Sequence, residues 1–133
     1  MNIIGHGIDI VEINQIQKII NRSGERFEKQ FLTDAEQDTA KKNSKRVQYL
    51  AGRFAAKEAI LKALGTGWSN GISFLDIEIQ RLPTGQPSAT LHARCKELAQ
   101  ELGISEWLIS ISHSESYAIA SVISIGSDSK ISS

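Results

Sequence analysis

Four positions carry side chains suited to chemistry. Asp9 stands at the end of a β-branched, glycine-containing stretch, Ile3 to Ile10, just before an amphipathic one. Gly5 and Gly7 ahead of it permit close backbone approach, as a phosphate site would want. A carboxylate there reads first as a helix N-cap, since Asp is favoured at that position and Glu12 follows at capping-box spacing; the functional alternative is a metal ligand. Glu58 lies in "LAGRFAAKEAILKALGTG", Leu50 to Gly67. At about 100° per residue, Ala51, Phe54, Glu58 and Lys62 share one quadrant of a helix, bordered by Ala55 and Ala59. An ordinary Glu–Lys pair at i and i+4 explains that spacing but not the apolar neighbours, among which an unpaired carboxylate is costly. A cation held by Glu58, with Lys62 aimed at a phosphate, explains both. Arg53 and Lys57 fall on a different side, one turn apart, and read equally as a solvated edge.

His113 follows an apolar strand in "SISHSESYA", Ser110 to Ala118, where a hydrogen-bonding structural role is the simpler account. Neither His6 nor His92 has metal-ligand spacing to it, and a single cysteine argues against zinc. Between Thr39 and Lys57 stand six basic residues (Lys41, Lys42, Lys45, Arg46, Arg53, Lys57) and no acid. Such a run is either a solvated loop and helix start or a positive field for a phosphate-rich ligand or acidic partner. Two carboxylates with basic residues nearby fit a hard, oxygen-preferring cation, so the residues point to Mg²⁺ and phosphate chemistry.

The elements that must position these residues follow from periodicity. A strand runs from Ile3 and ends near Asp9; Ile10, Ile13, Ile16, Ile19 and Ile20 then recur at helical spacing, broken at Arg22-Ser23-Gly24. Thr33 and Glu36 form a capping box for a further helix. Val47 to Leu64 is the longest helix, stopped by Gly65 and Gly67. Phe74 to Ile79 reads as a strand, Leu82 to Pro87 as a turn, and Ser88 to Leu91 as the return strand. His92 to Leu102 is a helix closed by Gly103, and Trp107–Ile111 and Tyr117–Ile123 are two strands around a polar insert. The class is α+β: a curved, mostly antiparallel sheet with one long packed helix.

At 133 residues and 41% hydrophobic, the chain suits a single domain, 1–125, followed by a loose serine-rich tail, 126–133. Fifteen basic against fifteen acidic residues argue against a dedicated nucleic-acid binder. One cysteine, Cys95, points to a reducing compartment. Met1 to Ile13 lacks the Lys or Arg of a signal peptide, and no apolar run approaches the roughly 20 residues of a membrane helix. The reading is a soluble, cytoplasmic protein without membrane or nucleic-acid partners.

Three blocks, in this order and spacing, resemble the holo-acyl-carrier-protein synthase family, the short type of 4'-phosphopantetheinyl transferase: "GHGIDIVEI" at Gly5 to Ile13, "GRFAAKEAILKALGTG" at Gly52 to Gly67, and "SISHSESYAIASVI" at Ser110 to Ile123. The resemblance spans Ile3 to Ile123 and implies the 4'-phosphopantetheinyl transferase-like fold. It implies that phosphopantetheine passes from coenzyme A to a serine of an acyl carrier protein, with adenosine 3',5'-bisphosphate leaving. By that resemblance Asp9 and Glu58 match magnesium carboxylates and Lys62 a lysine on the coenzyme's phosphates. His113 matches a histidine of the coenzyme site, and Arg53, Lys45 and Arg46 match basic positions near the phosphates. Glu58 is the candidate acceptor of the serine's proton. The family forms homotrimers with active sites between subunits. Two positions depart from its pattern: Asn14 stands where a basic residue often helps dock the carrier, with Lys18, Arg22, Arg26 and Lys29 as alternative charges, and Gln86 replaces a basic turn residue. The competing readings are a coenzyme A or nucleotide binding module without turnover, a different magnesium enzyme such as a nucleotide phosphohydrolase, and a structural domain in which Asp9 is a cap and Glu58 a salt bridge.

Overall fold

The first strand, β1, runs Asn2–Glu12, and the helix expected from Ile10 begins only with α1 at Ile13–Ser23. Ladder pairing decides this: Asp9, Ile10, Val11 and Glu12 lie opposite Ala120, Ile119, Ala118 and Tyr117. The periodic isoleucines from Ile13 onward are helical, but Ile10 belongs to the strand. Asp9 is therefore no N-cap; Glu12 occupies that position and makes no side-chain capping bond. The computed structural model describes residues 1–66 and 71–127.

Gly24, at φ 58°, ends α1 and allows an immediate second helix, α2 (Glu25–Phe31), that no sequence periodicity announces in so short a stretch. The Thr33–Glu36 capping box forms in both directions and opens α3 (Asp34–Lys42). The long helix, α4 (Arg46–Leu64), ends in Gly65 in the left-handed conformation; Gly67, the second expected stop, lies outside the described residues. Ala51, Ala55, Ala56 and Ala59 are fully buried, so α4 can lie close against the sheet. Phe54 meets Phe27, Phe31 and Phe74 at ring separations of 6.1, 5.6 and 5.3 Å, fixing α2 on the same helix.

The strand expected over Phe74–Ile79 divides. Ser73 and Asp76 cap a 3₁₀ turn at Phe74–Asp76, and β2 starts only at Ile77, running to Arg81. It pairs with β3 (Pro87–Leu91), and α5 (Ala93–Leu102) follows, closed by Gly103. β4 (Ile104–His113) and β5 (Tyr117–Gly126) are longer than expected. All pairings are antiparallel, in a three-stranded sheet ordered β1-β5-β4 and the separate β2-β3 hairpin, so the fold is α+β. Gly126 closes β5 and is not tail; residues 128–133 lie outside the described residues.

Lys57 corrects the reading of a solvated edge. It is fully buried, and its Nζ donates to Glu36 Oε1 at 2.7 Å and to the carbonyls of Phe31 and Phe74 at 2.6 and 3.2 Å. Glu36 also accepts from the Thr33 and Ile79 backbone N–H groups at 2.8 and 2.7 Å. One ion pair thus ties α2, α3, α4, the 3₁₀ turn and β2 together. Burial lowers the Lys57 pKa, and Glu36 pushes it back up.

Candidate active site

On β1, residues 7, 9 and 11 point toward α4, while 8, 10 and 12 point away. The strand approaches the helix so closely that a Cβ on Gly7 would lie 1.9 Å from the Ala59 carbonyl oxygen, and one on Gly5 would lie 2.4 Å from that of Ala63. These glycines therefore serve strand-to-helix contact, not the phosphate approach expected of them. Asp9, the next inward residue, arrives beside the outer turns of α4. Lys62 Nζ stands 3.0 Å from Asp9 Oδ1 and 2.9 Å from the Ile8 carbonyl oxygen. Glu58, one turn before Lys62, is half-buried, and its carboxyl pKa is raised, first by burial and then by the Asp9 charge, with Lys62 acting in the opposite direction. Residues from two distant blocks of the chain thus meet.

The pair Asp9 and Glu58 offers oxygen donors only. Among the described residues no group of three or more His, Cys, Asp or Glu could hold a metal. Two carboxylates, with remaining positions left to water and phosphate, is how Mg²⁺ is commonly held, whereas structural zinc takes four nitrogen or sulfur donors. Burial first and the Asp9 charge second raise the Glu58 pKa, and a dication would relieve both costs of its ionised form. The donor set fits magnesium.

A second group gathers around the start of α4 and the end of β4. Lys45, Gln48, Tyr49, Arg53, Arg81 and His113 line a cavity of about 130 Å³. Tyr49, Arg53 and Arg81 also line a neighbouring cavity of about 280 Å³. Arg53 is 3% exposed, its guanidinium lies 4.4 Å over the Tyr49 ring, and its Nε has no protein partner. Stacking and burial thus hold the guanidinium in one place. Arg46 goes elsewhere: it bonds Glu28, outside this cavity. The basic run therefore divides into two cavity cations (Lys45, Arg53), one ion-paired residue (Arg46), one core residue (Lys57) and surface lysines. Tyr49 and Arg81 were not anticipated. The i, i+4 spacing of Tyr49 and Arg53 is a usable stacking signal, whereas Arg81 only becomes relevant once the hairpin folds over.

The two groups lie on opposite edges of one sheet. Asp9 on β1 is level with Ala120 on β5 and Ile111 on β4, and His113 lies one pleat further on. Two strand spacings, about 10 Å, separate the edges. The structure unites Asp9, Glu58 and Lys62, and separately Lys45, Arg53 and His113.

Comparison with known proteins matches the family model described as the 4'-phosphopantetheinyl transferase superfamily over residues 5–122. A holo-[acyl-carrier-protein] synthase of Koribacter versatilis is 44% identical over 121 residues, 91% of this chain and 97% of that protein. The crystal structure of the Neisseria meningitidis holo-[acyl-carrier-protein] synthase superposes with a TM-score of 0.87 at 35% identity, covering 93% of this chain and 99% of that one. That of the Helicobacter pylori synthase in complex with coenzyme A gives 0.79 at 38% identity, covering 90% and 99%.

Proposed function

The chain belongs to the 4'-phosphopantetheinyl transferase superfamily, and on that premise we propose a magnesium-dependent holo-[acyl-carrier-protein] synthase whose active sites form between three copies of the chain. It transfers the 4'-phosphopantetheine group from coenzyme A to a serine of apo acyl carrier protein and releases adenosine 3',5'-bisphosphate. The observation that carries the metal-dependent reading is the meeting of Asp9, Glu58 and Lys62.

In the reaction the serine oxygen bonds to the β-phosphorus of coenzyme A as the bond from that phosphorus to the bridging oxygen breaks. Charge collects on the departing adenosine bisphosphate, and the serine loses its proton. Asp9 and Glu58 would hold magnesium, which would supply charge neutralisation on the pyrophosphate. Lys62 adds a positive charge beside the same phosphates. Glu58 is the candidate acceptor of the proton. Lys45, Arg53 and His113 hold the adenosine phosphate end.

Two features support the trimer. The sheet face turned away from α4 exposes Ile8, Ile10, Tyr117 and Ile119 (49, 61, 48 and 37% exposed); Ile10 lies opposite Ile119, with Ile8 and Tyr117 two residues to either side. Such a contiguous apolar patch marks an interaction site. The half-sites on β1 and β4 also complete each other if the β1 edge of one copy meets the β4 edge of the next. Lys18, Arg22, Arg26 and Lys29 form an exposed basic side of α1 and α2, suited to an acidic carrier where Asn14 supplies no charge. No helix among the described residues is long and apolar enough to cross a membrane. We place the reaction in the cytoplasm, where the lone thiol of Cys95 stays reduced.

The test is the intact mass of an apo acyl carrier protein incubated with this protein and coenzyme A, with and without magnesium. The expected result is a gain of one phosphopantetheine only with the metal. Coenzyme A binding with no gain on several carriers would replace the transferase with a binding module.

A further inference from the structure

Asp9 and Glu58 set two carboxyls beside each other in a half-buried place, which calls for a positive charge. Lys62 supplies it in this fold. Its Nζ is 3.0 Å from Asp9 Oδ1 and 2.9 Å from the Ile8 carbonyl oxygen. The two partners are held very differently. Asp9 is fixed by the β1–β5 ladder and its side chain is 17% exposed; Lys62 stands in the last turn of α4 on a four-carbon stem, 53% exposed. The carboxylate is the fixed partner and the ammonium the movable one. So exposed a pair breaks readily, whereas a dication and an ammonium on the same carboxylate repel each other within a few ångströms.

We propose that Lys62 is an internal placeholder for the divalent cation: its ammonium occupies Asp9 in the free enzyme, and metal binding displaces it toward the coenzyme's phosphates. The inference rests on the reading of Asp9 and Glu58 as the metal carboxylates. Its consequence is synergy. Without coenzyme the displaced ammonium loses Asp9 and gains no phosphate, so metal affinity is held down. A phosphate that accepts Lys62 raises it, and by linkage the metal raises coenzyme affinity by the same factor.

Manganese(II) serves as the probe, with free ion counted by electron paramagnetic resonance in the absence of coenzyme A. The wild type is compared with Lys62→Met, which keeps the stem and removes the charge, and with Asp9→Asn. In parallel, wild-type protein is treated with an amine-acylating reagent with and without saturating manganese, and modification of Lys62 is followed by peptide mass spectrometry. The expected results are manganese binding tighter by about two- to fivefold in Lys62→Met and faster acylation of Lys62 when the metal is present. Equal or weaker binding by Lys62→Met, or acylation of Lys62 unchanged by the metal, overturns the placeholder. The Asp9→Asn protein separates the two readings: if it binds manganese as the wild type does, the metal assignment itself falls.

Discussion

Glu58 bears a cost in the metal-free protein that a variant can expose. Its pKa is raised in the fold by burial and by Asp9, so the folded state holds the proton more tightly than the unfolded chain. The ionised carboxylate therefore destabilises the fold. That penalty is absent below the ordinary carboxylate pKa and grows as pH rises through the folded value. With chelator present, Glu58→Gln is expected to melt higher than the wild type near pH 8, on the order of 1–2 °C once solvent screening of this half-exposed group is allowed for. The gain should fade near pH 4. Calorimetric melts at both pH values check it; a wild type that melts higher near pH 8 would show that Glu58 is well compensated without metal.

The close contact of β1 with α4 sets the site at the scale of elements. A Cβ on Gly7 has to displace the backbone of Ala59, one residue from Glu58. Gly7→Ala is expected to cost about 1–3 kcal/mol in denaturant unfolding, as overpacking does, and to lower kcat for transfer at temperatures where the variant is still folded, because Asp9 shifts relative to Glu58. A folded Gly7→Ala enzyme with wild-type kcat would show that the metal site tolerates the shift. The buried Lys57–Glu36 pair gives a second prediction. Lys57→Ala leaves Glu36 buried without its cation and is expected to cost about 3–5 kcal/mol. Lys29→Ala, which removes a surface i, i+4 pair with Glu25, should cost no more than about 0.5 kcal/mol. Urea titrations of both variants measure the contrast, and similar losses would deny Lys57 its structural role.

For the whole molecule, the placement of half-sites on opposite sheet edges predicts complementation. Asp9→Ala and His113→Ala proteins should each be inactive or severely impaired as pure oligomers while keeping wild-type circular dichroism. Mixed by unfolding and refolding together, they form interfaces in which one copy supplies an intact Asp9 group and its neighbour an intact His113 group. Random assortment makes about a quarter of the interfaces complete, so transfer should recover to roughly that fraction. No recovery from demonstrably mixed oligomers would place each site within one chain.

Local chemistry was legible in the sequence. The Thr33–Glu36 capping box, the long helix to Gly65, the turn before Pro87 and the stripe carrying Glu58 and Lys62 depend on residues within a few positions of one another, and the chain alone determined them. It also supplied both carboxylates and the basic residues. Periodicity states which side of a helix a residue occupies but not what lies opposite, so Lys57 and Arg46 could not be told from ligand-binding cations until Glu36 and Glu28 folded against them. Likewise Asp9, judged from its neighbours alone, favours a helix cap, and only pairing with β5 carries the strand past it. Which residues meet is a long-range matter. Gly7 against Ala59 brings Asp9 to Lys62, and β5 between β1 and β4 keeps His113 away; only the tertiary structure decided that, because sheet order and strand-to-helix distance arise from contacts between segments far apart in the chain.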